Sequence, residues 1–543
     1  MDKELPIRLL GDHRVLHFAK EQLRELFKLS AQPLALSIQS FVIATFEQLQ
    51  EQHLALCDIV AAPLHEAQYS DEFIIKQLEG VVYLIGCSER AVLYAVYQYG
   101  ESSMGLHWIY PGKAPTRIVN EMYNEQRQHY KPVMERRGFV FETIDDVPYM
   151  QSMVIWLAQN KINELFFTFT LWDKIGAYLQ ELIIDRGFMI TLGGHSTKFF
   201  LERQAAEQSL KANHPYTAKQ QLDYTDLSWQ LPLVDSIAAY CAKVPNFKRL
   251  SLWPEDIKHQ QSEQFLAHYI AFTERMQSGL QQAGLQVEVE HIAYNAGLAW
   301  DMLEKENLQS SSVIDTLYAY WGRDYRYPYI DAVSDSDRRA HEALLDWISS
   351  VHKQGKEVTM FEYYSDHFML SPIFPMLPTR IAGDISYYAS IGIDGMTNLV
   401  VPCPANEHYS WQWNHSYNSY LYARSLWKES LEVINEHYYQ YFPATIRGAI
   451  RSFFTKLEEH AAALTSWNTP LFPARAVDAA KAIATDEERQ LIVTRLDEIV
   501  NSAEQCMRHI ASSQHDEIIS CLKHYIDYSN DVKAQWLKRE DTH

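Results

Sequence analysis

The sequence predicts an α/β chain organised around a (β/α)8 TIM barrel, with a small α/β domain before it and a helical domain after it. Three observations carry this. Between about residues 134 and 420, short apolar runs of strand character alternate eight times with amphipathic runs of helical spacing. No Gly-rich phosphate turn follows the first of these runs, at Phe141-Glu142-Thr143, where a doubly wound sheet would usually carry one. Beyond about 421, strand signals thin out and helical periodicity takes over.

The first domain, residues 1–130, shows its clearest element in a hairpin. Phe73–Leu78 runs into Glu79-Gly80, and Val81–Gly86 returns, the glycine supplying the positive φ of a tight turn. Ser88 then stands as an N-cap before a helical stretch starting at Glu89. Met104–Gly112 closes the domain with turn chemistry, and the polar stretch Asn120–Lys131 reads as a linker. The barrel, residues 134–420, has candidate strands Arg137–Glu142, Glu164–Thr170, Phe188–Gly193, Arg249–Trp253, Val287–Ile292, Ile314–Tyr320, Glu357–Tyr363 and Gly395–Val401. Amphipathic segments such as Tyr149–Asn160, Pro232–Lys243, Ser262–Ala283 and Asp335–Lys353 lie between them. Residues 197–231 form the longest gap and are expected to loop over the mouth. The third domain, residues 421–543, holds helical segments around Ser425–His437, Ala444–Ser466, Pro473–Ala484, Asp486–Arg508 and Glu517–Lys538.

Composition narrows the function. The chain has 543 residues, 47% of them apolar and 13% aromatic, which suits a globular protein with an ample core. A formal net charge of −21 argues against a nucleic-acid or anionic-membrane partner. The cysteines at 57, 87, 241, 403, 506 and 521 are scattered without CxxC spacing, and no HExxH, GxSxG or Walker pattern occurs. Neither a metal nor a cofactor is expected. No apolar run reaches signal-peptide length near the N-terminus, and none approaches the roughly 20 residues of a membrane span, so a cytoplasmic location is expected.

In a barrel, side chains at strand C-termini line the catalytic mouth. Two strands run into carboxylates: Arg249-Leu-Ser-Leu-Trp-Pro-Glu255-Asp256 and Val358-Thr-Met-Phe-Glu362-Tyr-Tyr-Ser-Asp366. As fourth and seventh strands they sit on roughly opposite sides of the ring, the layout two carboxyls need on either side of a glycosidic bond. The other strand ends supply Glu142, His195, Trp253, Tyr294, Asn295, Trp321, Arg323, Asp324, Tyr363 and Tyr364. Aromatic rings stack on pyranose faces, and carboxylate, amide, imidazole and guanidinium groups take hydroxyls. Each has a plainer reading. Glu255-Asp256 would also serve as a helix N-cap, Arg323-Asp324 as a structural ion pair, and His195 as a turn histidine. Only one of Tyr363 and Tyr364 can face the mouth, because successive strand residues point to opposite faces. The adjacency of Glu255 and Asp256 also suits substrate assistance, in which a 2-acetamido oxygen attacks and one carboxylate orients it.

Arg136-Arg137-Gly138-Phe139-Val140-Phe141-Glu142, Trp156-Leu-Ala-Gln-Asn160-Lys-Ile-Asn163-Glu164, Arg186-Gly187-Phe188, Gly193-Gly194-His195, Leu252-Trp253-Pro254 and Phe361-Glu362-Tyr363-Tyr364 together resemble the barrel of the glycoside hydrolase family 163 group. That group contains endo-acting β-N-acetylglucosaminidases and is related in architecture to family 20 hexosaminidases and family 67 α-glucuronidases. The N-terminal piece, with Ile85-Gly86, Arg90–Tyr97 and Pro111-Gly112, is similar to the small domain preceding the barrel in those families. The resemblance covers about residues 70–400. It implies an oligosaccharide substrate and a general acid at Glu255, with Asp256 orienting the acid or the substrate and Glu362 as the facing carboxylate. Family 20 carries the order Asp then Glu at this point, whereas Glu255 precedes Asp256 here, so the two compete for the acid role. Glu255, Asp324 and Glu362 would instead reproduce the family 67 layout, with Arg323 as a uronate clamp. A sugar-binding protein without catalysis is the remaining class, and self-association into a homo-oligomer is left open.

Overall fold

The N-terminal hairpin forms as its turn chemistry predicts, with one addition. In the computed structural model, which describes residues 6–30, 37–118, 128–207, 222–254, 264–295, 300–304, 308–331, 333–370, 372–401, 416–464, 485–510 and 516–538, both turn residues have positive φ. Glu79 lies at 48° and Gly80 at 82°, so the two-residue turn matches the right-handed twist of its strands. The strands are β1 (Ile7–Leu9), β2 (Ser40–Thr45), β3 (Phe73–Leu78) and β4 (Val81–Gly86). A pair of two-residue strands follows, β5 (Leu106–His107) and β6 (Thr116–Arg117), and then β7 (His129–Tyr130). The sheet runs β1-β2-β4-β3-β7. His129 and Tyr130, read from sequence as linker, therefore pair with β3 at the sheet edge.

Ser88 caps the helix Glu89–Met104, its hydroxyl accepting from Ala91 N–H, and Gly105 ends it at φ 68°. This helix is buried on almost every side, because the sheet covers one face and the barrel the other. Its Tyr94 hydroxyl donates to the Ile162 carbonyl of the barrel at 2.7 Å. Beside it, buried Asp71 accepts from Arg90, Arg137 and Asn163. Burial alone would push the Asp71 carboxyl up, but the two guanidinium groups hold it below the usual carboxylate range.

The eight predicted runs are the eight strands of a closed barrel: β8 (Arg136–Phe141), β9 (Glu164–Thr168), β10 (Met189–Gly194), β11 (Phe247–Leu252), β12 (Glu288–Tyr294), β13 (Asp315–Ala319), β14 (Val358–Asp366) and β15 (Gly395–Val401). They close in the order β10-β11-β12-β13-β14-β15-β8-β9, every neighbour parallel. The floor of the interior is charged. Arg136 donates to Glu164, to Glu290 at 2.5 Å and to Thr359 at 3.0 Å, while Arg249 lies 3.6 Å from both glutamates. Thr191 donates to Glu164. The pairing holds Glu164 below its ordinary range despite burial, through Arg136 and then Arg249.

Outside the strands lie helices that include Val147–Gln159, Phe169–Arg186, Leu227–Cys241, Phe265–Gln282, Asp335–Lys353, Pro378–Ser390 and Ser416–Ser425. The insertion after β10 is partly helical and not a plain loop. Thr197–Glu207 is a helix, and the next helix starts at Leu227, capped by Asp226, and continues through Pro232. Residues 208–221 lie outside the described set. Helices Leu431–Gln440, Ala444–Lys456, Asp486–Ile510 and Asp516–Lys538 follow among the described residues, and the predicted Pro473–Ala484 segment lies outside them. No described helix is long and apolar enough to cross a membrane.

Candidate active site

The carboxyl ends of the barrel strands gather an aromatic and polar cluster around Trp253. The cluster begins with a glycine pair. A Cβ at Gly193 would lie 1.7 Å from the Ser251 carbonyl oxygen, so only glycine lets β10 approach β11 this closely. Gly194 follows at φ 72°, and its carbonyl accepts from Trp253 N–H at 3.0 Å. This turn delivers His195 across the end of β11, where its Nδ1 donates to the Pro254 carbonyl at 2.6 Å. A carbonyl only accepts, so Nδ1 carries a proton. The Tyr294 hydroxyl, from the end of β12, donates to the same carbonyl at 3.3 Å.

Trp253 is 4% exposed, and its ring meets Phe166 at 5.3 Å, His195 at 5.3 Å and Phe361 at 5.5 Å. The last contact crosses the barrel interior from β11 to β14, so the fourth and seventh strands do face one another. Tyr363 lies on the same face as Phe361, with ring centroids 4.8 Å apart. Glu142 is half-buried one residue beyond β8. Its carbonyl accepts from the Thr168 hydroxyl at 3.4 Å. Phe166, Phe361 and the Pro254 carbonyl escape the sequence reading. The period of two along β9 and β14 was the available signal for the rings, but nothing in sequence flags a main-chain carbonyl.

The residues expected at the mouth do not all arrive there. Glu255 and Asp256 lie outside the described residues; Pro254 is the last described position of that segment. Glu362 is turned the other way. It sits between Phe361 and Tyr363, which face the interior, so alternation sends it to the helix layer. There it is 1% exposed and accepts from Arg323 at 3.0 Å, from the Tyr325 hydroxyl at 2.7 Å and from the Tyr388 hydroxyl. Burial pushes its carboxyl above the usual range; Arg323 opposes this, Asp384 adds to it, and the Tyr388 and Tyr325 hydroxyls oppose it.

Arg323 is likewise committed. It pairs with Asp384 at 2.6 Å and with Glu362, donates to the Tyr327 carbonyl at 3.3 Å, and packs over the rings of Tyr325 and Tyr329. It does not pair with Asp324, which accepts both from Arg326 N–H and from the Arg326 guanidinium. Tyr364 also faces outward and donates to Asp384 at 2.9 Å. Asn295 and Trp321 form a brace between the ends of β12 and β13, the Asn295 amide accepting from Trp321 N–H at 2.8 Å and donating to the Trp321 carbonyl at 2.6 Å. The mouth therefore assembles His195, Trp253, Tyr294 and Tyr363. Glu362, Arg323, Tyr364 and Asp324 stand behind it because strand alternation and local ion pairs claim them.

A cavity of about 740 Å³ lies elsewhere, lined by Tyr417, Tyr439, Glu436 and Glu458 among others, and none of the predicted site residues lines it. Among the described residues no group of three or more His, Cys, Asp or Glu side chains could hold a metal ion.

The architecture has solved counterparts. A GH138 enzyme targeting pectin rhamnogalacturonan II superposes with a TM-score of 0.61 at 13% sequence identity, over 98% of this chain and 70% of that one. CpGH84D aligns with a TM-score of 0.48 at 9% identity, over 99% of this chain and 91% of that one, a likeness too slight to argue from. At such identities the likeness shows the fold alone, a (β/α)8 barrel with flanking domains. No family model matches the chain, and no curated protein matches it in sequence.

Proposed function

We propose that this chain is a glycoside hydrolase acting on O-glycosyl bonds of an oligosaccharide, β-N-acetylhexosaminidase-like and assisted by the substrate's acetamido group. The observation that carries the reading is the treatment of Pro254. Two mouth residues, His195 and Tyr294, hold its carbonyl, and Trp253 before it forms an apolar wall against Phe361. The chain therefore enters Glu255-Asp256 from a fixed point inside an aromatic-walled mouth. Such a mouth suits a pyranose, whose apolar face stacks on rings while its hydroxyls bond to polar groups. Glu255 is then the acid and Asp256 the group that orients the acetamido oxygen. The α-glucuronidase-like trio loses support, since Glu362 and Asp324 are engaged behind the mouth and Arg323 is buried there in ion pairs with Glu362 and Asp384.

Hydrolysis of an aryl glycoside panel tests this. N-acetylglucosaminides should be cleaved faster than plain hexosides and glucuronides, and a thiazoline mimic of the acetamido intermediate should inhibit. Preference for glucuronides, or indifference to the thiazoline, would remove the substrate-assisted scheme. Sugar binding without turnover on any member would leave a binding protein.

A further inference from the structure

Strand β14 ends in a bulge, and the bulge decides which carboxylate of Val358–Asp366 reaches the mouth. Up to Glu362 the strand pairs residue for residue with β15, Phe361 with Thr397 and Glu362 with Asn398. Beyond it, Ser365 pairs with Val400 and Asp366 with Val401, so β14 carries one extra residue. The contacts locate that residue. The Tyr364 hydroxyl reaches Asp384 on helix Pro378–Ser390. The Ser365 hydroxyl meets that of Ser419 on helix Ser416–Ser425 at 3.1 Å and accepts from Asn398 Nδ2 at 3.0 Å. Consecutive residues 364 and 365 thus both face the helix layer. Without the bulge, the parity of Glu362 and Tyr364 would send residue 366 outward too. With it, residue 366 returns to the interior face of Phe361 and Tyr363. Bulges of this kind re-aim a side chain beside active sites.

We infer that Asp366 is the carboxylate that the seventh strand presents to the bound sugar, and that Glu362 anchors the wall from behind. Asp366 is 2% exposed and stands at the top of the wall that Trp253 touches through Phe361. It therefore lies on the interior face, on the side of the barrel that Trp253 reaches through Phe361. A carboxylate there accepts hydrogen bonds from pyranose hydroxyls and favours the positive charge that develops on the sugar ring during cleavage. The sugar in this inference rests on the glycoside hydrolase reading; the direction of Asp366 does not.

Cysteine mapping separates the two. In the folded protein, the Asp366→Cys variant should be labelled at that position by a small charged methanethiosulfonate, read by peptide mass spectrometry. A protonated piperidine iminosugar should slow the labelling. The Glu362→Cys variant should stay unlabelled. On a cleaved aryl glycoside, Asp366→Asn should lower kcat/KM by about 100-fold or more with the circular dichroism unchanged. Glu362→Gln should shift Tm more than kcat/KM. Labelling of Glu362→Cys with Asp366→Cys inert overturns the inference, and so does an Asp366→Asn variant close to wild-type kcat/KM. If Glu362→Cys fails to fold, labelling at 366 decides alone. Labelling at 366 in a chain that neither cleaves a glycoside nor binds the iminosugar upholds the direction and overturns the glycoside hydrolase reading.

Discussion

The Pro254 carbonyl takes two hydrogen bonds, from His195 and Tyr294, and this concentrates the positioning of the mouth on one atom. Each bond is worth about 1 kcal/mol, or roughly fivefold in rate if it is expressed in the transition state. Tyr294→Phe should therefore lower kcat several-fold with KM little changed, which steady-state kinetics will read. His195→Asn, which keeps a donor, should retain more activity than His195→Ala. A different histidine governs acid stability. His291 is buried between Tyr269 and Trp347, donates to the Asp315 carbonyl, and is pushed down from 6.5 to about 4 by burial. A histidine whose folded value is lowered adds stability that is complete above its unfolded value. That stability is lost as pH falls through the folded value. The window here runs from pH 6.5 to about 4, and the full contribution is about 3 kcal/mol. His291→Asn should flatten the fall of Tm across that window; an unchanged slope would assign the acid sensitivity elsewhere.

At the scale of elements, the close approach of β10 and β11 depends on one missing side chain. Gly193→Ala drives a Cβ into the Ser251 carbonyl, and because both atoms belong to backbone-fixed positions the strands must part. The expected cost is at least about 3 kcal/mol, visible in the urea midpoint. The eight strands were legible because each is a short apolar run between polar or glycine-bearing ends, as in Glu164-Leu-Phe-Phe-Thr168. Helix starts were legible where a cap shows, as at Ser88. The direction of Glu362 was not, since parity needs a reference residue of known face, and Thr359 earns that status only through its bond to Arg136. The bulge after Glu362 is equally silent in sequence, having no glycine to mark it. The amphipathic segment expected from Pro232 begins earlier, because Asp226 caps helix Leu227–Cys241 and the helix runs through the proline.

Across the whole molecule, the mouth is held from below and from the side. Below it, Arg136 bridges two buried glutamates that Arg249 also approaches, so Arg136→Met should cost about 3–5 kcal/mol, read from the urea midpoint, by leaving two carboxylates with one cation. From the side, the last helix reaches the stretch that follows β14. Tyr525 donates to the Phe374 carbonyl at 2.6 Å and His524 Nε2 to that of Pro372 at 3.0 Å. Tyr525→Phe should lower stability by about 1–3 kcal/mol, measured by thermal unfolding, while a substitution on the solvent face of the same helix should not. The central claim is that Glu255 protonates the leaving oxygen of a sugar bound at this mouth. The most direct measurement compares Glu255→Gln with wild type on aryl N-acetylglucosaminides whose leaving groups range from basic to strongly activated. A strongly activated phenol departs without a proton, so the account predicts a loss of about 1,000-fold on the basic leaving group that shrinks steeply along the series. An equal loss across the series, or none, would contradict it.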